Sequence, residues 1–172
     1  MRFFFFKLFF FFVFLGISDA NEKIRYININ HIINNSEAGI TLNNMIEKQD
    51  NKIKSEFKNL AKKLEDQKNK ILSQKNILKK EEFDKMVKNY DKEVKEFNDL
   101  RRKKNDNFND FRVRSKKKIL DLLNPIIINF LKKESIQILL QKEKIIFGDE
   151  NLDITKQVLE IFNSKHKKIK FE

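Results

Sequence analysis

The stretch 71-ILSQKNILKKEE-82 decides the architecture. Leading into it, Ile46, Ile53, Phe57, Leu60 and Leu64, continued by Ile71 and Leu78 within it, recur at alternating steps of three and four. Asp50, Gln67 and Gln74 fill the remaining steps, which makes an a/d heptad seam with polar interruptions. After it, Phe83, Val87, Tyr90, Val94, Phe97, Phe108 and Phe111 form a second seam in which Arg101 and Lys104 take the steps between Phe97 and Phe108. The two seams are out of phase, because Leu78 and Phe83 are five residues apart. Ser73 and Asn76 suit a helix start, and Glu81 and Glu82 suit a first turn, where carboxylates face the positive end of the helix dipole. The chain is therefore expected to reverse around Ser73–Lys80. Each arm would run about 35–40 residues, roughly 50–60 Å at the rise of a helix. Periodicity alone leaves open a single rod that dimerises in parallel.

The helical reading of the middle rests on what is missing from it. Between Gly39 and Pro125 there is neither Gly nor Pro, and Lys, Glu, Leu and Ile are abundant.

The two ends read differently. In 23-KIRYININHIINNSEAG-39, Ile24 and Tyr26 alternate with Lys23 and Arg25, a strand signature. Ile29, Ile32 and Ile33 then fall at helical spacing, with Asn28 as a possible cap. Gly39 marks a break or bend before the arm. Beyond the arm, Pro125 would kink a helix or begin a new one. Ile136–Gln141 and Lys144–Phe147 are short β-type runs, expected to form a hairpin through Lys142 and Glu143. Asp153 can cap a last helix, Ile154–Asn163, with Ile154, Val158, Leu159 and Phe162 on one face. Some 70 residues of body with few large core positions are marginal alone. Association is expected through the sheet residues Ile24, Tyr26, Ile27, Ile136, Ile138, Leu140, Ile145 and Phe147, helped by Ile126–Leu131.

The first 20 residues, MRFFFFKLFFFFVFLGISDA, hold nine of the 18 Phe residues. Leu8–Ile17 is the longest uninterrupted apolar run, too short for a spanning helix, which needs about 20 apolar residues. Arg2 and Lys7 before it, and Ser18 and Ala20 after it, match a secretory signal peptide cut between Ala20 and Asn21. The chain has no Cys, so no disulfide braces it.

Of the formal net charge of +12, the segment 51–118 contributes most, with 23 Lys/Arg against 12 Asp/Glu. Such a field attracts polyanions, anionic membranes or acidic proteins. A nucleic-acid-binding coiled coil is one reading of it. Export through a signal peptide argues against nucleic acid as a partner. No phosphate loop, Cys nucleophile or metal constellation is present, and His31 and His166 lie far apart, so neither enzyme, cofactor nor metal is expected.

The order of these features resembles the Skp/OmpH family of periplasmic chaperones over essentially all of the chain after the signal. The most telling parts are the block 23–39, with Ser36 and Gly39 in place, and the Asp153–Ile154–Thr155 start of the last helix. The resemblance implies an α+β fold in which a small β-rich trimerisation body carries a long antiparallel coiled-coil hairpin, or tentacle. On that basis residues 1–20 are the signal. Residues 21–38 and 135–172 form the body with its C-terminal helix, and residues 39–134 form the arm, its tip near 73–80. The family pattern has a Lys-Gly-Tyr-Asp-like entry to its second strand. Here Glu134-Ser135-Ile136-Gln137 stands instead, a departure expected to alter turn geometry and not function.

The resemblance further implies a homotrimer in the periplasm that holds unfolded outer-membrane β-barrel proteins without ATP. Phe57, Phe83, Tyr90, Phe97, Phe108 and Phe111 on the inner arm faces are the candidate client contacts, and each also fits a seam buried between the two helices. Anionic lipid or lipopolysaccharide is a further candidate partner. An envelope adaptor that binds one fixed partner is the alternative reading.

Overall fold

The structure is a computed structural model, and it describes residues 23–171. The apolar leader, Met1–Ala20, lies outside the described residues. The elements run β1 (Ile24–Ile27), α1 (Ile29–Asn35), α2 (Glu37–Gln74), α3 (Lys80–Lys133), β2 (Ile138–Gln141) and α4 (Thr155–Lys165), with short 3-10 turns at Lys142–Lys144 and Glu150–Leu152. No described helix is long and apolar enough to cross a membrane.

The chain reverses between Gln74 and Lys80, so α2 and α3 form one antiparallel hairpin. At the helical rise, their 38 and 54 residues correspond to about 57 and 81 Å. The surplus of α3 carries it past the arm and into the body, where Ile119, Leu123, Ile126 and Ile127 are buried. Pro125 neither ends α3 nor starts a new helix. It costs the hydrogen bond to the carbonyl of Asp121, but both residues are exposed, so water can satisfy that group. The buried neighbours hold the helix together across it.

The core is built from both chain ends and the arm root. Ile27, Ile32, Ile33, Ala38 and Leu42 pack with Ile119, Leu123, Ile126, Ile154, Val158 and Phe162. The break between α1 and α2 falls at Ser36, not Gly39 as expected. Ser36 is extended (φ −67°, ψ 155°), its N–H donates to the Ile32 carbonyl and its hydroxyl accepts from the Gly39 N–H at 3.0 Å. Gly39 sits inside α2 for a different reason. A Cβ there would lie 1.7 Å from the Ile33 carbonyl oxygen, so its lack of a side chain lets α1 fold back against α2.

The sheet corrects the expected hairpin. β2 pairs with β1 and not with Lys144–Phe147, and the pairing is parallel, Ile24 opposite Ile138 and Ile27 opposite Gln141. After Gln141 the chain turns through the 3-10 segment, and Ile145–Phe147 is not a strand. The Lys142–Glu143 connection lacks the φ > 0 residues that a tight hairpin needs. The other side of β1 is occupied by a bridge from Tyr26 to Asp153, with the Ile154 N–H donating to the Tyr26 carbonyl.

Between α3 and β2, Ser135 adopts φ 53°, the left-handed region. The Ile136 N–H donates to the Leu131 carbonyl and the Ser135 N–H to that of Lys132, which makes a Schellman motif. The position where the family pattern carries Gly is thus one where a side chain is strained.

Asn28 caps α1 by accepting from the His31 N–H at 2.7 Å, as its position suggests. Asp153 stands one residue before the N-cap, Ile154, and accepts from the Thr155 N–H at 2.9 Å, so α4 begins one residue later than expected and runs two residues beyond the expected end.

Candidate functional site

The arm has a thin seam. A two-helix hairpin leaves each seam side chain open on at least one flank, and that is what the burial shows. Ile53, Phe57, Leu60 and Leu64 on α2, and Phe83, Val87, Tyr90, Val94 and Phe97 on α3, are all only half-buried. Ile71 near the tip and Phe108 near the root are the buried exceptions. Phe57 and Phe97 meet edge to face, centroids 5.8 Å apart, which fixes the arm's register at mid-length. Phe108 lies nearer the root, with the Arg112 guanidinium 5.8 Å above its ring. Phe111, half-buried, packs against the body core. Phe83 and Tyr90 stand closer to the tip, and Tyr90 lines a shallow groove with Ile71, Met86 and Gln67. The six aromatic candidates are therefore strung along the interhelical seam and are not gathered in one pocket.

Grooves flank the seam. One has Leu60, Leu64, Phe97 and Leu100 as its floor and Lys63 and Glu96 among its walls. Nearer the root, a second is lined by Met45, Ile53, Leu100, Lys103 and Lys104. Both join an apolar floor to charged rims, a surface suited to apolar side chains of another chain.

Lys104, a cation at a seam position, is neutralised. Its ammonium donates to both carboxylate oxygens of Glu56 on the opposite helix, at 2.9 and 2.7 Å. Asp50, another polar seam residue, pairs along its own helix with Lys54 at 2.6 Å. Two of the seam's charged residues, Asp50 and Lys104, are thus partnered.

The body presents a second surface. Ile24, Ile138 and Leu140 share the outer sheet face and are 38–43% exposed. Beside them Ile146 and Phe147 are almost fully exposed. Of the other residues named for association, Tyr26 lies on that same face, opposite Leu140, but is buried under this chain's own segment. Ile27 is buried in the body, and Ile136 and Ile145 are half-buried. Tyr26 is covered by the 142–153 segment, with the Lys142 ammonium 5.5 Å from its ring centroid and Gly148 against its edge.

A clasp holds that segment down. Lys142 donates to Asp153 at 2.8 Å, and Asp153 also accepts from both the N–H and the hydroxyl of Thr155. Burial pushes the Asp153 carboxyl up, but the hydrogen bonds from Lys142 and Thr155, with the Lys142 charge, outweigh it and leave it below 3.8. The same hydrogen bond and the Asp153 charge raise Lys142 above 10.5.

Sequence reasoning missed several exposed apolar residues. Met45, Leu72 and Leu100 lie on the arm helices outside the heptad seam and are exposed. Apolar residues at off-seam positions of a charged helix were the available signal. Among the described residues no group of side chains has the makings of a metal site.

A small α+β body with one long helical hairpin defines the class of fold. The profile of the outer membrane protein (OmpH-like) family matches residues 23–162, and the chain belongs to that family. Among solved structures it is similar to a protein from Caulobacter crescentus CB15 described as an OmpH-like outer membrane chaperone. That likeness has a TM-score of 0.79 at 11% identity and covers 87% of this chain and 89% of the other, so it concerns the fold. No curated protein gives a significant match.

Proposed function

We propose that the protein is an ATP-independent holdase of the periplasm that binds unfolded outer-membrane β-barrel proteins and keeps them from aggregating. The observation that carries the reading is the long arm with a half-buried seam, in a chain of the OmpH-like family. Unfolded β-barrel chains expose apolar side chains and unpaired strand edges, which aggregate. A thin seam flanked by apolar-floored grooves offers many weak contacts. Each releases quickly, while together they retain the client. Phe57, Phe83, Tyr90 and Phe97 contribute through whichever edge the opposite helix leaves open. The Lys excess of the arm attracts acidic clients and anionic headgroups.

Self-association completes the arrangement. The outer face of Ile24, Ile138 and Leu140, extended by Ile146 and Phe147, is the surface a second copy would cover, and a homotrimer would set three arms around one cavity. The leader, Met1–Ala20, supplies export to the periplasm.

The test uses three purified, urea-denatured β-barrel proteins of different size, diluted separately onto the immobilised protein. Retention of all three with similar affinity is expected. Retention of one alone would favour an envelope adaptor with a fixed partner.

A further inference from the structure

The family match ends at Phe162, yet the described chain continues to Phe171. The added residues reach back to both helices of the arm, at the point where the arm leaves the body. Asn163, the first residue past the match, accepts from the Glu37 N–H at 3.0 Å, so the last helix satisfies a free donor in the first turn of α2. Farther along, the Lys118 ammonium of α3 donates to the Lys170 carbonyl at 2.8 Å. Between these two ties His166 meets Phe162, ring centroids 5.3 Å apart, and Ile169 and Phe171 pack against the body core. Residues 167–171 are neither helix nor strand, so these contacts set their place.

The packing of the root has a flaw at the same level. Ser115, three residues before Lys118 on α3, is buried at 3% exposure, and its hydroxyl has no hydrogen-bond partner among the described residues. A buried hydroxyl left unpaired costs about 1–3 kcal/mol. The side chain also fills less space than Ile119 and Leu123, which are fully buried on the following turns. Small rotations here matter because the arm is a long lever. Over the roughly 57 Å of α2, a turn of about 10° at the root moves the tip by about 10 Å.

We propose that residues 163–171 are a brace that fixes the direction of the arm and thereby sets which clients the arms retain. The client part rests on the holdase reading above. Arms already held at one angle lose little further freedom when a client binds. A small client touches the arms over a short length and depends most on that preparation, whereas a large client has contacts to spare.

The chain has no Cys, so Ile77→Cys at the tip and Lys156→Cys on α4, both at exposed positions, give two specific sites for spin labels. Tip-to-body distances are measured by pulsed electron-spin resonance on labelled chains diluted into unlabelled protein. Three forms are compared: the full chain, a chain lacking residues 166–172, and a chain with Asn163→Ala and Lys118→Met, which cuts both ties and keeps the apolar contacts. Both altered forms are expected to keep the helical circular dichroism and to broaden the distance distribution by about 10 Å. An unchanged distribution in both would overturn the proposal. Unfolding of the body by both would overturn it too, because the segment would then be part of the core. Retention is measured alongside for two urea-denatured β-barrel proteins, one small and one large. The altered forms are expected to bind the smaller about fivefold more weakly and the larger with less than about twofold change. Equal weakening for both clients would overturn the proposal. Failure of the full chain to retain either client would count against the holdase reading alone, and the distances would still judge the brace.

Discussion

Glu56 and Lys104 meet across the two helices of the arm, one ammonium bonded to both oxygens of one carboxylate, each side chain about one-third exposed (34% and 37%). A cation at a seam position would otherwise open the hairpin there. The partial exposure limits what the pair contributes, because water screens it. Lys104→Gln or Glu56→Gln alone is expected to lower stability by about 0.5–1 kcal/mol in chemical denaturation. Replacing both with Leu should raise it, since two partly buried apolar side chains meeting across the helices pack without the desolvation cost of an ion pair. A double-Leu protein less stable than the wild type would show that the pair holds the arm by more than register.

Phe57 and Phe97 set the register at mid-arm, and their edge-to-face contact has a measurable signature. Each ring truncated to Ala should cost about 2 kcal/mol, less than a fully buried Phe because both are half-buried. The two losses should fall short of additivity by about 1 kcal/mol in a double-mutant cycle. Strict additivity would mean that the rings do not meet in solution.

Gly39→Ala should be among the most damaging small substitutions in the chain. The added Cβ would overlap the Ile33 carbonyl, a backbone atom that cannot move without shifting α1. A loss of about 3 kcal/mol is expected in urea unfolding, beyond the ~1 kcal/mol expected for removing the Ser36 cap with Ser36→Ala.

Ser135→Gly should act in the opposite direction. Ser135 holds a left-handed backbone in the Schellman turn that ends α3. Relief of that strain, less the extra freedom Gly gives the unfolded chain, is expected to stabilise by about 0.5–1 kcal/mol. A lower melting temperature for the Gly variant would contradict this account of the turn.

Much of this was legible in the sequence. The five-residue step from Leu78 to Phe83 marked where the seam slips; a stutter in one continuous rod gives a slip too, and the resemblance decided for a reversal. Asn28 and Asp153 announced their helix starts through local chemistry. What could not be read was pairing between distant segments. Ile145–Phe147 has the composition of a strand, but β2 found its partner in β1, more than a hundred residues away, and left Ile146 and Phe147 in the open. Glu56 as the partner of Lys104 was equally hidden, since it depends on the register between two helices. Gly39 was visible as a break, whereas its role is to admit a neighbouring carbonyl.

The Asp153 clasp gives stability a dependence on acid. The Asp153 carboxyl is held below its ordinary 3.8, so its ionised form favours the folded state. That contribution is complete above the ordinary value and is lost as pH falls through the lower folded value. Asp153→Asn should therefore be less stable than the wild type at pH 7, with the gap closing below about pH 4. Denaturation curves between pH 3 and 7 check this, and a gap that does not vary with pH would remove the clasp.

The central claim is that the arms hold unfolded β-barrel chains. Its most direct measurement is light scattering as a urea-denatured β-barrel protein is diluted, without nucleotide, into buffer containing three chains of this protein per client. The account predicts that scattering stays near the level of the buffer, and rises when Phe57 and Phe97 are both replaced by Ala. Aggregation as fast as in buffer alone would contradict it.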